Sequence, residues 1–400
     1  MKYKLQDIVD VTMGQSPKSE FYNTEGKGVP FLQGNRTFGL KYPTFDTFTT
    51  MVTKEAKAGD VIMSVRAPVG DLNITPVDMC LGRGVCSLRM KNGNQEFLYY
   101  MMKYYIPQLI NKESGTVFGS VNRKDINGLD IDIPSDAVEQ RKISRFLSMI
   151  DEKIQINKGI NNNLEQQAQA IFKSWFVDFE PFGGYMPNDW KIVSFDTIIN
   201  FQNGYAFKSK ELLNVEAEGT YRVFKQGNIN KGGGFNSSGT KSWYPISKCS
   251  NLDKFILHKG DVLMAMTDMK DNVQILGNTA IMPINNLYIV NQRVGLLRSK
   301  GLYGIEYPFI YLLTNNSNFL TDLRSRANSG VQVNLSSNEI KSSEIVLATT
   351  DINTKFNNIV KHMFDKMLDN SLENEKLSTL RDALLPKLMS GELDVSNIDL

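Results

Sequence analysis

The stretch Leu164-Glu165-Gln166-Gln167-Ala168-Gln169-Ala170-Ile171-Phe172 returns 213 positions later as Leu377-Ser378-Thr379-Leu380-Arg381-Asp382-Ala383-Leu384-Leu385, and the offset holds without a gap back to Ile143 and Phe356. A repeat this long is not a solenoid unit, whose period is roughly 20 to 50 residues. It reads as duplication of a whole domain with the helix that trails it. Weaker echoes recur in order through the preceding regions. Gly14 matches Gly204, Gln33-Gly34-Asn35 matches Gln226-Gly227-Asn228, Gly59-Asp60-Val61-Ile62-Met63 matches Gly260-Asp261-Val262-Leu263-Met264, and Arg83 matches Arg293. Further on, Phe97-Leu98-Tyr99 matches Phe309-Ile310-Tyr311, and Ser114-Gly115 with Asp125-Ile126 matches Ser329-Gly330 with Glu339-Ile340. The offset drifts between these blocks, so insertions lie between them. One framework thus presents two unlike sets of loops, as a reader of a ligand with two different halves requires. Duplex DNA, with local dyads in its backbone, suits such a pseudo-twofold protein.

The order of segments follows from the repeat: a first mixed region over 1–135, a helical segment over 136–180, a second mixed region over 181–348, and a second helical segment with a short tail over 349–400. Apolar runs such as Asp60-Val61-Ile62-Met63-Ser64-Val65 and Leu129-Asp130-Ile131-Asp132-Ile133 predict strands, and Glu96 to Asn111 a helix. Pro134 precedes a long amphipathic helix from about Glu139 to Val177, and Pro181-Phe182-Gly183-Gly184-Tyr185-Met186-Pro187 ends it as a linker. Ile143, Leu147, Ile150, Ile154 and Leu164 recur at heptad spacing; Phe356, Val360, Met363, Met367 and Leu377 repeat the pattern. These residues predict a pairing seam between the two helices. Asn157 and Asn161, with their counterparts Asn370 and Asn374, place polar residues in that seam, where asparagine costs stability but fixes register. Antiparallel pairing would set Asn157 against Asn374 and Asn161 against Asn370; parallel pairing would set like against like.

The composition, 41 % hydrophobic and 22 % charged over 400 residues, is that of an ordinary globular chain with material for two cores. No apolar run approaches the roughly 18 residues of a membrane span, and Met1-Lys2-Tyr3-Lys4 does not open a secretory signal, so a cytoplasmic protein is expected. Cys80, Cys86 and Cys249 are odd in number and form no Cys-x-x-Cys pair, which argues for reduced, structural thiols. With 45 basic against 43 acidic residues, any DNA-binding face must come from local segregation of charge. The motifs of catalysis are missing. No Asn-Pro-Pro-Tyr or Asp-Pro-Pro-Tyr occurs to hold a flipped adenine, and no Gly-Lys-Ser/Thr phosphate loop occurs. Gly232-Gly233-Gly234 lies in a polar loop and reads as a turn. His258 and His362 stand alone, too few for a metal site or a triad. Neither catalytic residues nor metal ligands are assigned.

Four phrases, taken in order, resemble the specificity subunit of Type I restriction-modification enzymes over essentially the whole chain. They are Ile133-Pro134 with Glu139-Gln140-Arg141-Lys142-Ile143; Leu164-Glu165 with Ala170-Ile171-Phe172-Lys173-Ser174-Trp175-Phe176-Val177-Asp178-Phe179; Met186-Pro187-Asn188-Asp189-Trp190; and Leu384-Leu385-Pro386-Lys387-Leu388-Met389-Ser390-Gly391-Glu392-Leu393. Two departures stand out: there is no Pro-x-x-Trp before Leu5, and the second helix opens with Asp351-Ile352-Asn353-Thr354 rather than a Glu-Gln pair. The resemblance implies two similar α/β target recognition domains, each a mixed sheet with helices, separated by two long helices in an antiparallel coiled coil. It implies a non-catalytic reader of double-stranded DNA with a bipartite site. The helices would dock two methyltransferase subunits and set the spacer; about 38 residues at roughly 1.5 Å rise span on the order of 57 Å, or about 17 base pairs. S-adenosylmethionine, ATP and magnesium would belong to those subunits and to restriction subunits, with no cofactor in this chain. A coiled-coil scaffold without sequence-specific DNA contact is the alternative.

Bases are read by Arg, Lys, Asn and Gln, and phosphates are held by Arg, Lys, Ser and backbone amides. The candidates are Gln33, Asn35, Arg36, Arg66, Arg83, Asn122, Arg123 and Lys124 in the first region, and Gln226, Asn228, Lys270, Arg293, Asn334 and Asn338 in the second. Residues repeated between halves are expected to serve the framework or the phosphates, since base-reading residues must differ between unlike half-sites. Gly59-Asp60 and Gly260-Asp261 read as turns that open a buried strand.

Overall fold

The computed structural model describes residues 1–111, 119–269, 273–329 and 332–395. Lys270, Ser114-Gly115 and Gly330 lie outside the described residues. The chain forms two compact units, one of residues 1–155 with 376–400 and one of residues 156–375. Each of the two long helices, Ala137–Phe176 and Thr350–Ser390, contributes to both.

In the first unit, strand Lys2–Lys4 pairs antiparallel with Asp130–Asp132. An antiparallel sheet follows in the order Val9–Met13, Val85–Met90, Val61–Ser64, Leu72–Ile74. The run predicted as a strand from Asp60 is fully buried from Val61 to Ser64, between this sheet's two faces. A second sheet contains one parallel pair, Val29–Leu32 beside Met79–Leu81, with Leu32 opposite Leu81. The helix Gln95–Asn111 and the short helix Arg123–Asn127 cover the first sheet. Leu5, Val61, Met63, Leu88, Phe97 and Ile126 share one core with Ile143 and Leu147 of the first long helix and with Leu388, Met389 and Val395 near the chain's end.

The second unit repeats the terminal strand pair and the four-stranded antiparallel sheet, while its second sheet has three strands where the first unit's has five, and a further three-stranded sheet is added. Lys191–Ser194 pairs with Glu344–Leu347, and the antiparallel sheet runs Ile199–Asn203, Val294–Ser299, Val262–Ala265, Thr279–Ile281. Thr220–Phe224 lies parallel to Tyr288–Val290, with Phe224 opposite Val290. Both short helices that precede the last strand begin with a capping box. Asn122 accepts from the N–H groups of Lys124 and Asp125 while Asp125 accepts from Asn122; Ser336 and Glu339 cap each other in the same way. Phe172 and Phe176 enter the second core edge-on to Phe356, with ring centroids 6.0 and 4.9 Å apart.

The helices run antiparallel. In the second unit Asn157 Nδ2 donates to Asn374 Oδ1 at 3.0 Å, and Asn370 Nδ2 donates to Asn161 Oδ1 at 2.8 Å. Asn157 and Asn370 are buried, and Asn157 Nδ2 also reaches Glu373. In the first unit Arg381 Nη1 donates to the buried Asp151 at 2.6 Å, and Tyr100 Oη donates to the other oxygen of that carboxylate at 2.8 Å. Burial first, then the charge of Asp151, holds the Tyr100 phenol well above its usual range. Burial is uneven along the expected seam. Met363 and Met367 are half-buried, whereas Phe364 and Leu368 are buried with Phe356 and Val360. A stripe stepping by four winds about 40° per step around a 3.6-residue helix, so it turns away from a straight seam. It arises because this end of the helix packs on the second unit's globular core. Ile143 and Leu147 likewise serve a globular core, Ile150 and Ile154 are buried, and Leu164 and Leu377 are half-buried.

Candidate nucleic-acid interface

Gly59 and Gly260 both have positive φ, +87° and +91°, the left-handed turn that the sequence called for at the head of a buried strand. The aspartate after each does more than turn the chain. Asp60 is 3 % exposed and pairs with Arg89 at 2.6 Å, accepting also from Ser87 Oγ at 2.7 Å. Asp261 is 5 % exposed and takes a two-pronged grip from Arg298, at 2.7 Å on each oxygen. Hydrogen bonds and the charge of Asp261 hold the Arg298 guanidinium above its ordinary value. Each pair fastens a buried strand to its neighbour in the sheet. Sequence reading missed both arginines, because Arg89 and Arg298 are distant in the chain and become partners only through strand register.

Fastened in this way, each unit presents the same rim. In the second unit it is a groove of about 650 Å³ lined by Asn203, Gly204, Thr267, Gln292, Arg293, Gln332, Asn334 and Ser337, among others. Thr267 pairs with Asn334 in a three-stranded sheet, and Gln226 donates to Thr267. Ser337 Oγ donates to Asn203 Oδ1 at 3.1 Å. Asp268, beside the groove, is pushed up by burial, but backbone N–H groups of Ile275, Met269, Gln274 and Leu276 outweigh that and hold its pKa below the usual carboxylate value. These bonds tie the chain at Gln274–Leu276 to the groove's wall.

The first unit builds the corresponding rim from Gln33, Arg66, Arg83, Asn122, Arg123 and Lys124. Ser16 Oγ donates to Gln33 Oε1 at 2.8 Å and accepts from the Arg83 N–H at 3.1 Å. Arg66 is bridged to Ser120, and the Val121 N–H reaches the Val65 carbonyl at 3.0 Å, which sets the capped turn from Asn122 beside Arg66. Arg66, Arg83, Arg123 and Lys124 are exposed and have no ion-pair partner among the described residues. This is the local segregation of charge that the near-neutral composition concealed.

Register corrects two of the sequence alignments. Gly14 N–H bonds to the Val85 carbonyl, and Gly204 N–H to that of Val294, so Val85 and Val294 are equivalent. The place of Arg83 is therefore held by Gln292, and Arg293 takes that of Gly84, one residue off the match by identity. Likewise Leu32 corresponds to Phe224, so Gln33 stands where Lys225 does, and Gln226-Gly227-Asn228 follows one step later. Asn228 is not available to a ligand. It is buried, its Oδ1 accepts from the Lys225 N–H, and its Nδ2 donates to Asn236 O and Thr240 Oγ1. Asn35 and Arg36 belong elsewhere: Asn35 donates to Asp71 in a separate cleft that also includes Tyr99 and Lys103, and Arg36 pairs with Asp46 at 2.7 Å. Asn338 is exposed at the place equivalent to Lys124. Asn203, Gln292 and Gln332, which the sequence reading did not single out, line the second groove.

Among the described residues no helix is long and apolar enough to cross a membrane, and no cluster of His, Cys, Asp and Glu is suited to a metal ion. The family model for the Type I restriction modification DNA specificity domain matches residues 1–166 and again 187–380. The putative type I restriction enzyme MjaX specificity subunit of Methanocaldococcus jannaschii is 37% identical over 163 residues, 40% of this chain and 38% of that protein. The MjaIX specificity subunit of the same organism is 24% identical over 422 residues, covering 99% of this chain and 94% of its own. A crystal structure of the Type I restriction-modification S subunit from M. genitalium shares the fold with a TM-score of 0.60 at 17% identity, over 97% of this chain and 96% of that one. A match of the family's domain to both repeats, on the scaffold described above, makes this chain a member of the Type I restriction-modification DNA specificity family.

Proposed function

We propose that this chain supplies sequence recognition to a Type I restriction-modification assembly: each unit's rim binds one half of a bipartite duplex target, and the chain performs no bond-making or bond-breaking step itself. The observation that carries this reading is the duplicated scaffold whose equivalent rim positions hold different side chains. Arg66, Arg83, Arg123 and Lys124 stand in one unit where Thr267, Gln292, Ser337 and Asn338 stand in the other. A framework kept constant while its exposed polar residues change is what two unlike half-sites demand.

Methyltransferase subunits would dock on the long helices, which would set the spacer, and restriction subunits would join them. Those partners would bring S-adenosylmethionine, ATP and magnesium, and the assembly would work in the cytoplasm. The test is a modified-base map of the source genome by single-molecule sequencing, with and without the gene. Loss of one bipartite methylated motif supports the reading and reveals both halves. An unchanged map in a cell whose methyltransferase subunits are expressed overturns it.

A further inference from the structure

Two equivalent loops carry the most informative difference between the rims. In the first unit Gly82-Arg83-Gly84 joins a buried strand to the next, and in the second Asn291-Gln292-Arg293 does so. Both loops are clamped at the same points: the N–H groups of Gly82 and Asn291 bond to the carbonyls of Leu32 and Phe224 at 2.8 and 3.0 Å, and Val85 and Val294 receive Gly14 and Gly204 at 3.0 and 3.1 Å. The first loop is pressed against the chain so closely that a Cβ on Gly84 would come within 2.3 Å of the Gln33 carbonyl oxygen. Backbones held this firmly aim their outward side chains. Arg83 and Gln292 are both exposed, and neither side chain has a hydrogen-bond partner among the described residues.

Hydrogen-bonding capacity around each loop sharpens the contrast. In the first rim the amide oxygens are already used: Gln33 Oε1 accepts from Ser16, and Asn122 Oδ1 accepts from two backbone N–H groups. What remains among the described residues are donors: the fork of Arg83, the amide nitrogens of Gln33 and Asn122, and the other cations. In the second rim the side-chain amides of Gln292 and Gln332 are free among the described residues and exposed, each offering a donor and an acceptor. A guanidinium matches two acceptors in line, O6 and N7 of guanine; a carboxamide matches the N6 donor and N7 acceptor of adenine.

Building on the function proposed above, we infer that Arg83 and Gln292 are equivalent base-reading residues, Arg83 taking a guanine in the half-site of the first unit and Gln292 an adenine in that of the second. The flanking Arg66, Arg123 and Lys124 hold phosphates, a role that sets position rather than sequence.

The experiment is the same genome-wide methylation map, made with the full-length chain and its partners carrying Arg83→Gln, Arg83→Lys or Gln292→Ala. Arg83→Gln is expected to relax or change one G·C position in one half of the motif only, with a roughly 10- to 100-fold loss of discrimination there. Arg83→Lys keeps the charge and loses the fork, so it does not restore that position. Gln292→Ala is expected to relax one A·T position in the other half. The inference is overturned if the variants lower methylation evenly at every site with the motif unchanged, if Arg83→Lys behaves as wild type, or if both changes fall in the same half. Purified variants are compared with wild type by thermal unfolding, and an in vitro competition between matched and single-mismatch duplexes repeats the measurement for any variant of low abundance. A map that does not respond to removal of the gene overturns the function and this inference together. A normal wild-type motif that the variants leave untouched overturns the inference alone.

Discussion

The two rims differ where their scaffolds agree. Both are hung on a strand that begins with a positive-φ glycine and a buried aspartate, and both end in a capped turn. Yet among the described residues one rim is a cluster of exposed cations without acidic partners, and the other is a groove of amides and hydroxyls with Arg293 as its charge. Framework and recognition are carried by separate residues: the ion pairs of two buried aspartates hold the strands, and the rim positions are free to vary at little cost in stability. A duplicated gene can therefore drift in what it reads without drifting in how it folds.

The comparison can be broken most directly at the shared framework. Asp60→Ala and Asp261→Ala each take a buried carboxylate from its arginine, the exposed Arg89 or the half-buried Arg298, and remove several charge-assisted hydrogen bonds, so each is expected to destabilise its unit by about 2 to 3 kcal/mol. Urea unfolding should show two losses of similar size; a large loss at one site and none at the other would contradict a common framework. Next comes charge. Replacing Arg66, Arg123 and Lys124 together by alanine should lower the salt slope of duplex binding by the assembled complex by about 3, or about 40-fold in affinity between low and moderate salt, whereas Arg293→Ala should lower it by about 1. Equal slopes for the two variants would remove the electrostatic asymmetry.

A smaller effect separates the two sheets. Cys86 and Gly295 occupy equivalent strand positions, but a Cβ at Gly295 would lie 2.6 Å from the Phe201 ring and 3.3 Å from Met266 Sδ. Gly295→Ala should cost about 1 to 3 kcal/mol through overpacking, and Cys86→Ala about 1 kcal/mol through a small cavity, both read as shifts in unfolding midpoint. Smallest of all is the chemistry of that thiol. Burial pushes Cys86 up to about 12, so at pH 8 only about one molecule in ten thousand would be the thiolate. Iodoacetamide should label it in denaturant and not in the native protein. Rapid native labelling would mean that the first sheet opens far more readily than its packing implies.

Much of the architecture could be read in advance because its signals are local. The heptad stripe and the spacing of the seam asparagines are each written within one helix, where neighbours in sequence are neighbours in space, and the 213-residue offset is a gapless match between two such helices. The glycine-aspartate turns were legible for the same reason. What escaped depended on register. Matching by identity set Arg83 against Arg293, and only the ladder positions of Val85 and Val294 show that Gln292 is the true counterpart. Asn228 is of a residue type that reads bases and lies in a loop, but its side chain is spent on its own turn, as its repetition between the halves had implied. The heptad stripe names Met363 and Met367 but not the buried Phe364 and Leu368, because a heptad assumes a partner on one face and here the helix also borders a globular core.

The first unit's core contains Leu388, Met389 and Val395 beside Leu5, Val61 and Phe97. On the ribosome, which releases a chain in sequence order, Leu5, Val61 and Phe97 must wait for Leu388, Met389 and Val395 before that core can close. The second unit, whose residues 156–375 are contiguous, is free to finish sooner. A chain interrupted after residue 375 would thus carry one completed reading unit and one that was begun first and left open.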